Sequence, residues 1–389
     1  MTRPRAIWGA AALAIAVSLG VGVGLAVREG APPELWLEAP SVVVAGEPFE
    51  VHVSASKPVT FVLRYADVRI EEVAQELRAS LGAVPGRAVL QVDAVDGAGG
   101  TALVAREVEA RWPPDPWLEA PASLEVGDPL VAWVRVDPPP PGVTPIEVAD
   151  LRLTLDGEPL PLLARPDGWV ALAAVPLEAA AGERSLRLQL RDEFGRRIER
   201  EQPLQVRSNP RPVALLAIPA ATLAVVTSEA RAEEAAVLAS ALAGVPPEPR
   251  WAEPFQLPLD GRGTSGFGDP RRYGVGGNVS YHLGTDIAAP TGTPIVATND
   301  GIVRVAGFYP IKGGWVVLDH GQGVTSHYFH QSAVSVRVGD VVHRGDVIGL
   351  VGSTGLSTGP HLHWEMRVDG VPTEPLAWVG QRYPVVVRP

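Results

Sequence analysis

His361 and His363 stand one residue apart in the stretch STGPHLHWEM, in a chain with only eight histidines, seven of them after residue 280. On a strand, residues i and i+2 point to the same face, so both imidazoles emerge together while Leu362 and Trp364 turn the other way. That geometry suits convergence on one site, although strands also carry such pairs by chance. It gains weight from YHLGTDIAAP, where His282 and Asp286 are separated by three residues, and from VTSHYFHQS, which supplies His327 and His330. The sequence has no cysteine, so disulfides, thiolate metal sites and cysteine nucleophiles are excluded and any metal must rest on His, Asp or Glu. His and Asp are suitable zinc ligands, and three protein ligands leave a fourth position open for water, the arrangement of catalytic sites.

The other polar candidates carry less. Alternation places His327 on the opposite strand face from His330, as a surface or supporting residue. His320 in LDHGQG reads as a hairpin turn and His343 in VVHRGD as a loop residue. Tyr273 and Tyr281 lie close enough to His282 either to hold substrate or to pack. GSTGLSTGP before His361 lacks the lysine of a phosphate-binding loop and reads as the rim of a cleft. Glu365 shares the face of His363 and is placed to orient a ligand imidazole.

The elements that must position these residues are strands. From residue 255 to 389 the chain is rich in Gly and Val, with almost no helical periodicity, and runs such as GIVRVAG, GWVVLDH and HLHWEMRVDG predict a compact β domain. Residues 209–254 form a connector: an apolar stretch, then one helix in SEARAEEAAVLASALAG with Ser228 as N-cap and Ala235, Leu238 and Leu242 on its buried side, then a proline-stiffened link. It reads as a structural connector, with an inhibitory flap over the site as the sharper alternative. Upstream, LWLEAPSVVVAGEPF from Leu35 and PWLEAPASLEVGDPL from Pro116 share Trp-Leu-Glu-Ala-Pro 81 residues apart, an internal duplication. Period-two runs broken by Gly, Pro and Asp predict two immunoglobulin-like β-sandwich modules, 29–112 and 113–208. Within the first, RIEEVAQELRASLG (Arg69–Gly82) has helical spacing and reads as an insertion or crossover. Residues 1–28 carry Arg3 and Arg5 before an uncharged run from Ala6 to Val27, which reads as a transmembrane anchor with a cytoplasmic stub, or a cleaved signal.

The pattern TSGFG, YHLGTDIAAPTGTPIVATNDGIVRVAG, HGQGVTSHYFHQSAVSVRVGDVVHRGDVIGLVGSTGLSTGPHLHWEMRVDG resembles the lysostaphin-type zinc metallopeptidases, which hydrolyse peptide cross-links of bacterial peptidoglycan. The match runs over roughly residues 261–378, about a third of the chain, with several separate motifs in order. The resemblance implies the family's β fold, His282, Asp286 and His363 as ligands of Zn²⁺, and His361 and His330 as the catalytic pair. It further implies that His361 takes a proton from the attacking water and passes it to the leaving amine, while His330 donates a hydrogen bond to the developing oxyanion; the two roles are exchangeable. Gln331 stands where the family has Leu.

The formal net charge of −11 lies entirely before residue 255: the last domain holds ten acidic and ten basic residues, and no basic footprint for nucleic acid exists. The leading expectation is an exported, membrane-tethered zinc endopeptidase acting on peptidoglycan peptide stems, with the β modules holding the catalytic domain on the wall side. Two alternatives stand beside it. One is a non-catalytic envelope regulator that activates other wall hydrolases, against which all five expected residues weigh; the other is a protease of glycine-rich proteins.

Overall fold

A computed structural model describes residues 31–216, 218–243, 249–273 and 278–381. The anchor expected within residues 1–28 lies outside them, and no described helix is long and apolar enough to cross a membrane. The described chain is mainly β. It divides into two compact units, one running to Asp115 with Asp137–Ala149 and Arg191–Arg196, the other holding the remainder.

The first unit is built on a six-stranded sheet whose spine is the 18-residue strand Pro48–Tyr65. Val51, Val53, Phe61 and Leu63 alternate into its core against Leu90 and Val92 of the paired strand Gly86–Asp96. Arg69–Gly82 is not helical: it lies in the strand Val68–Gly82, antiparallel to Pro48–Tyr65. Its second half, Leu77, Ala79 and Leu81, alternates inward, and long-range pairing overrides the helical propensity of its Glu- and Ala-rich first half.

The duplication is one of topology as well as sequence. In each copy the Trp-Leu-Glu strand (Leu35–Glu38, Pro116–Glu119) pairs antiparallel with the third strand, and the second (Val42–Val44, Ser123–Glu125) pairs parallel with the last. The proline of each Glu-Ala-Pro, Pro40 or Pro121, follows the first strand; it has no N–H to continue a ladder, so the chain leaves one strand partner for another. The second copy has a four-stranded and a five-stranded sheet.

In the C-terminal part an eight-stranded sheet runs in the order Arg262–Ser265, Thr285–Ala288, His361–Val368, Val324–Gln331, Gly313–Gly321, Gly301–Tyr309, Val341–Val342, with Val371–Thr373 beside His361–Val368. One face, with Ile287, Leu362, Trp364, Tyr328 and Val316, forms the main core with Trp251, Phe255 and Trp378. On the other face, Trp315, Val317 and Phe329 meet the connector helix Ser228–Leu242 through Val237, Leu238 and Ala241. That helix is capped by Thr227, whose hydroxyl accepts from the Ala230 amide, so the cap falls one residue before Ser228. Its inward side runs through Ala230, Glu234 and Leu238 rather than Ala235, which is exposed.

Candidate metal centre and cleft

Register places the cluster. Asp286 lies directly opposite His363, and Phe329 opposite His363 on the other side, so three adjacent strands turn these residues to the same face. His282 arrives from the turn before Thr285–Ala288. That turn hugs the sheet so closely that a Cβ on Gly284 would sit 2.4 Å from the Trp364 carbonyl oxygen and 2.9 Å from His363 Nε2. Only glycine leaves the backbone this approach.

Three atoms converge: His282 Nε2 and His363 Nδ1 are 2.8 Å apart, and Asp286 Oδ1 lies 3.0 Å and 2.9 Å from them. The opposite ring nitrogens are committed elsewhere. His282 Nδ1–H donates to the Gly266 carbonyl at 2.8 Å, and His363 Nε2–H donates to Glu365 Oε1 at 3.0 Å. What remains pointing inward is one nitrogen of each imidazole and a carboxylate oxygen, a set that suits a metal cation. With ligand bonds of about 2.0–2.1 Å, a tetrahedral zinc site would hold its donors about 3.3 Å apart, close to this triangle. His282, Asp286 and His363 are the group able to hold a metal ion among the described residues.

The surroundings reinforce the demand for positive charge. Burial opposes a charge on His363, but Asp286 and Glu365 outweigh it and lift the ring to about 8. Burial likewise opposes charge on Asp286 and Glu365, yet Asp286 is held far below the usual carboxylate range by the adjacent His282 and His363, and Glu365 by Arg367 and His363. Arg271 fixes the second oxygen of Asp286 at 3.0 Å and also donates to Ser265 Oγ at 2.7 Å, leaving Oδ1 to the centre. Phe329 stacks parallel to His363 at 5.0 Å. Arg271, Gly284 and Phe329 went unread in the sequence; spacing alone carries no sign of them.

His361 and His330 stand beside the cluster with ring centroids 4.8 Å apart. Each commits Nδ1–H to a carbonyl at 2.8 Å, Gly359 for His361 and Thr354 for His330, so both turn Nε2 to the cleft. His361 Nε2 is 3.8 Å from Asp286 Oδ1, one step from the centre. Burial, with the neighbouring His363 and His361, pushes His330 down to about 3. His330 does not reach the cleft by strand alternation, which would send it to the core with Tyr328. Its backbone is left-handed, φ 64°, and swings the ring to the site face.

His327 is no surface residue: it is fully buried on the face of Phe329, beside Trp315 and bonded to Thr325 Oγ1. His320 is not in the turn; it lies within the buried strand Gly313–Gly321, with Nδ1–H donating to the Asp300 carbonyl and Nε2 accepting from Ser326. His343 is exposed. A cleft of about 930 Å³ opens over the cluster, lined by Tyr281, Lys312 and, as its rim, Ser357–Pro360. The side chain of Tyr273 lies outside the described residues.

Residues 280–375 match Peptidase family M23. Over 120 residues the chain is 44% identical to Peptidoglycan DD-endopeptidase ShyA of Vibrio cholerae, covering 30% of this chain and 28% of that protein. It is 48% identical over 96 residues to DD-carboxypeptidase/endopeptidase Mpg of Neisseria meningitidis, covering 25% and 22%. Among solved structures, the catalytic domain of lysostaphin from Staphylococcus simulans is 33% identical over 30% of this chain and 89% of that one, with a TM-score of 0.27. The chain spans about a quarter of the length of these curated relatives. Residues 280–375 are thus a Peptidase family M23 domain, and the cluster of His282, Asp286 and His363 lies within it.

Proposed function

We propose that the chain is a zinc-dependent endopeptidase that hydrolyses peptide cross-links of bacterial peptidoglycan. The observation that carries this reading is the convergence of three donor atoms, from His282, Asp286 and His363, on one point open to a cleft, with two further imidazoles turned towards it. Bound there, zinc would supply Lewis acidity, polarising the scissile carbonyl and lowering the pKa of water.

The chain's own residues would handle the protons. His361 and His330 both offer Nε2 as an acceptor, so each can take the proton of the attacking water and, as imidazolium, return it to the leaving amine. The orientation of His330 modifies its expected role: a neutral ring whose Nδ1–H is held by Thr354 has no hydrogen on Nε2 to give, so it becomes a donor to an oxyanion only after taking up a proton. His361, nearest Asp286 Oδ1, is the proton carrier we favour. Glu365 and Arg271 keep the ligands His363 and Asp286 in place.

The substrate class rests on the peptidoglycan endopeptidases among the relatives. The uncharged run Ala6–Val27 after Arg3 and Arg5 would export or anchor the chain, on the wall side of the membrane, and the duplicated immunoglobulin-like modules would space the catalytic domain from it. The test is digestion of purified peptidoglycan by the zinc-loaded chain, with released muropeptides read by mass spectrometry. New free amines at former cross-links, abolished by chelation and restored by zinc, are expected. Unchanged peptidoglycan, with stimulation of a separate amidase, would replace this reading by that of a regulator.

A further inference from the structure

The connector helix Ser228–Leu242 carries a charged residue that its linking role does not explain. Glu234 is 3% exposed, and a carboxylate so buried is costly unless it is bonded. Its Oε1 accepts from the backbone amides of Ile311 (2.6 Å) and Lys312 (3.1 Å), and its Oε2 pairs with Lys312 Nζ at 3.1 Å. These bonds cross 77 and 78 residues of sequence to grip a single turn, Pro310–Lys312, between two strands of the catalytic sheet.

That turn in turn holds the His330 side of the cleft. The His330 amide donates to the Lys312 carbonyl at 2.9 Å, at the residue whose left-handed backbone brings the ring to the site. The Leu356 amide donates to the Ile311 carbonyl at 2.8 Å, which ties down the loop whose Thr354 carbonyl receives His330 Nδ1–H. The same helix packs Val237 and Leu238 on the cluster of Trp315 and Phe329, so the helix stays seated by apolar contact when one polar group is changed.

We propose that Glu234 is a positioning residue: by clamping the Ile311–Lys312 amides it sets the backbone of His330 and so the aim of its Nε2 into the cleft. The inference rests on the peptidase reading above, in which His330 stands beside His361 with its Nε2 turned to the reacting groups. The connector helix then acts on the site from behind, through Ile311 and Lys312, which line the cleft. Because the metal ligands hang on other strands, the clamp acts on proton transfer rather than on metal binding; a misplacement of about 1 Å costs up to about 100-fold in rate.

The test uses the full chain as wild type, Glu234→Ala and Glu234→Gln. Zinc affinity is measured by chelator competition, kcat and KM on a cross-linked muropeptide, and imidazole resonances by NMR of histidine-labelled protein. For Glu234→Ala we expect zinc affinity within about twofold, kcat lowered about 10- to 100-fold with little change in KM, and a shifted His330 resonance. Glu234→Gln, which keeps an acceptor for both amides, should return the His330 resonance and most of kcat. Wild-type kcat with an unmoved His330 resonance in Glu234→Ala would overturn the proposal, as would equal loss in Glu234→Gln and Glu234→Ala. If Glu234→Ala fails to fold, the comparison of Glu234→Gln with Lys312→Met decides: loss of the His330 position in Glu234→Gln alone contradicts the amide clamp, and its retention in both supports it. Should the wild type cleave no peptidoglycan, the peptidase reading fails, and the His330 resonance still decides whether the clamp exists.

Discussion

Replacing Gly284 by alanine perturbs the metal centre without touching a ligand. The added Cβ would lie 2.4 Å from the Trp364 carbonyl oxygen, against an ordinary contact of 3.4 Å, so the turn and the sheet must separate by about 1 Å. Neither partner is free to yield: the oxygen belongs to backbone in the central strand, and the other contacts are Glu365 Cγ and His363 Nε2, both at 2.9 Å. Ligand distances tolerate only about 0.2 Å, so a turn moved by that amount draws His282 off the position shared with Asp286 and His363. We expect zinc affinity to fall about 10- to 100-fold, the range found when groups supporting a ligand are disturbed, with overpacking strain of about 1–3 kcal/mol in the apo protein. Chelator competition gives the affinity, and thermal melting with and without zinc gives the strain. Gly263→Ala is the control, since a Cβ there meets nothing within 4 Å. Zinc binding by Gly284→Ala within twofold of wild type would show that the close approach of this turn does not set the ligand positions.

Two further outcomes follow from the same geometry. His361→Ala should keep its zinc and lose about 10²- to 10⁴-fold in kcat, since it removes a proton carrier and no ligand; metal analysis beside a turnover assay separates the two. Acid should destabilise the fold through His320, which burial lowers from 6.5 to about 4. The unfolded chain binds its proton below 6.5 while the folded one does not until about 4, so stability is full above 6.5 and falls by about 3 kcal/mol as pH drops through that window. Melting temperatures of wild type and His320→Gln across pH 4–7 check the sign: the slope should flatten in the variant.

What could be read from residue types was the chemistry; what could not was the backbone that delivers it. His361 and His363 announce themselves by spacing on a strand and His282 and Asp286 by their spacing around a glycine turn, and register then brings Asp286 opposite His363. His330 was legible as a residue but not as a direction, because alternation fails at its left-handed backbone. His327, read as a surface or supporting residue, is buried beside Trp315, which overturns the first alternative, since the face it shares with Phe329 is the one the connector helix covers. Arg69–Gly82 misled for a different reason: a solvent-facing strand tolerates Glu, Gln and Arg at helical spacing, and only its partner Pro48–Tyr65 decides the conformation. Close approaches such as Gly284 on Trp364, and clamps such as Glu234 on Lys312, join residues about 80 apart and leave no local trace.

The metal centre is tested most directly by a crystal structure of the full chain grown with zinc and measured at the zinc absorption edge. One anomalous peak is expected about 2.0–2.2 Å from His282 Nε2, Asp286 Oδ1 and His363 Nδ1, with the fourth position open to the cleft that His361 and His330 face. A peak elsewhere, or a fourth protein ligand closing the site, would contradict the ligand assignment.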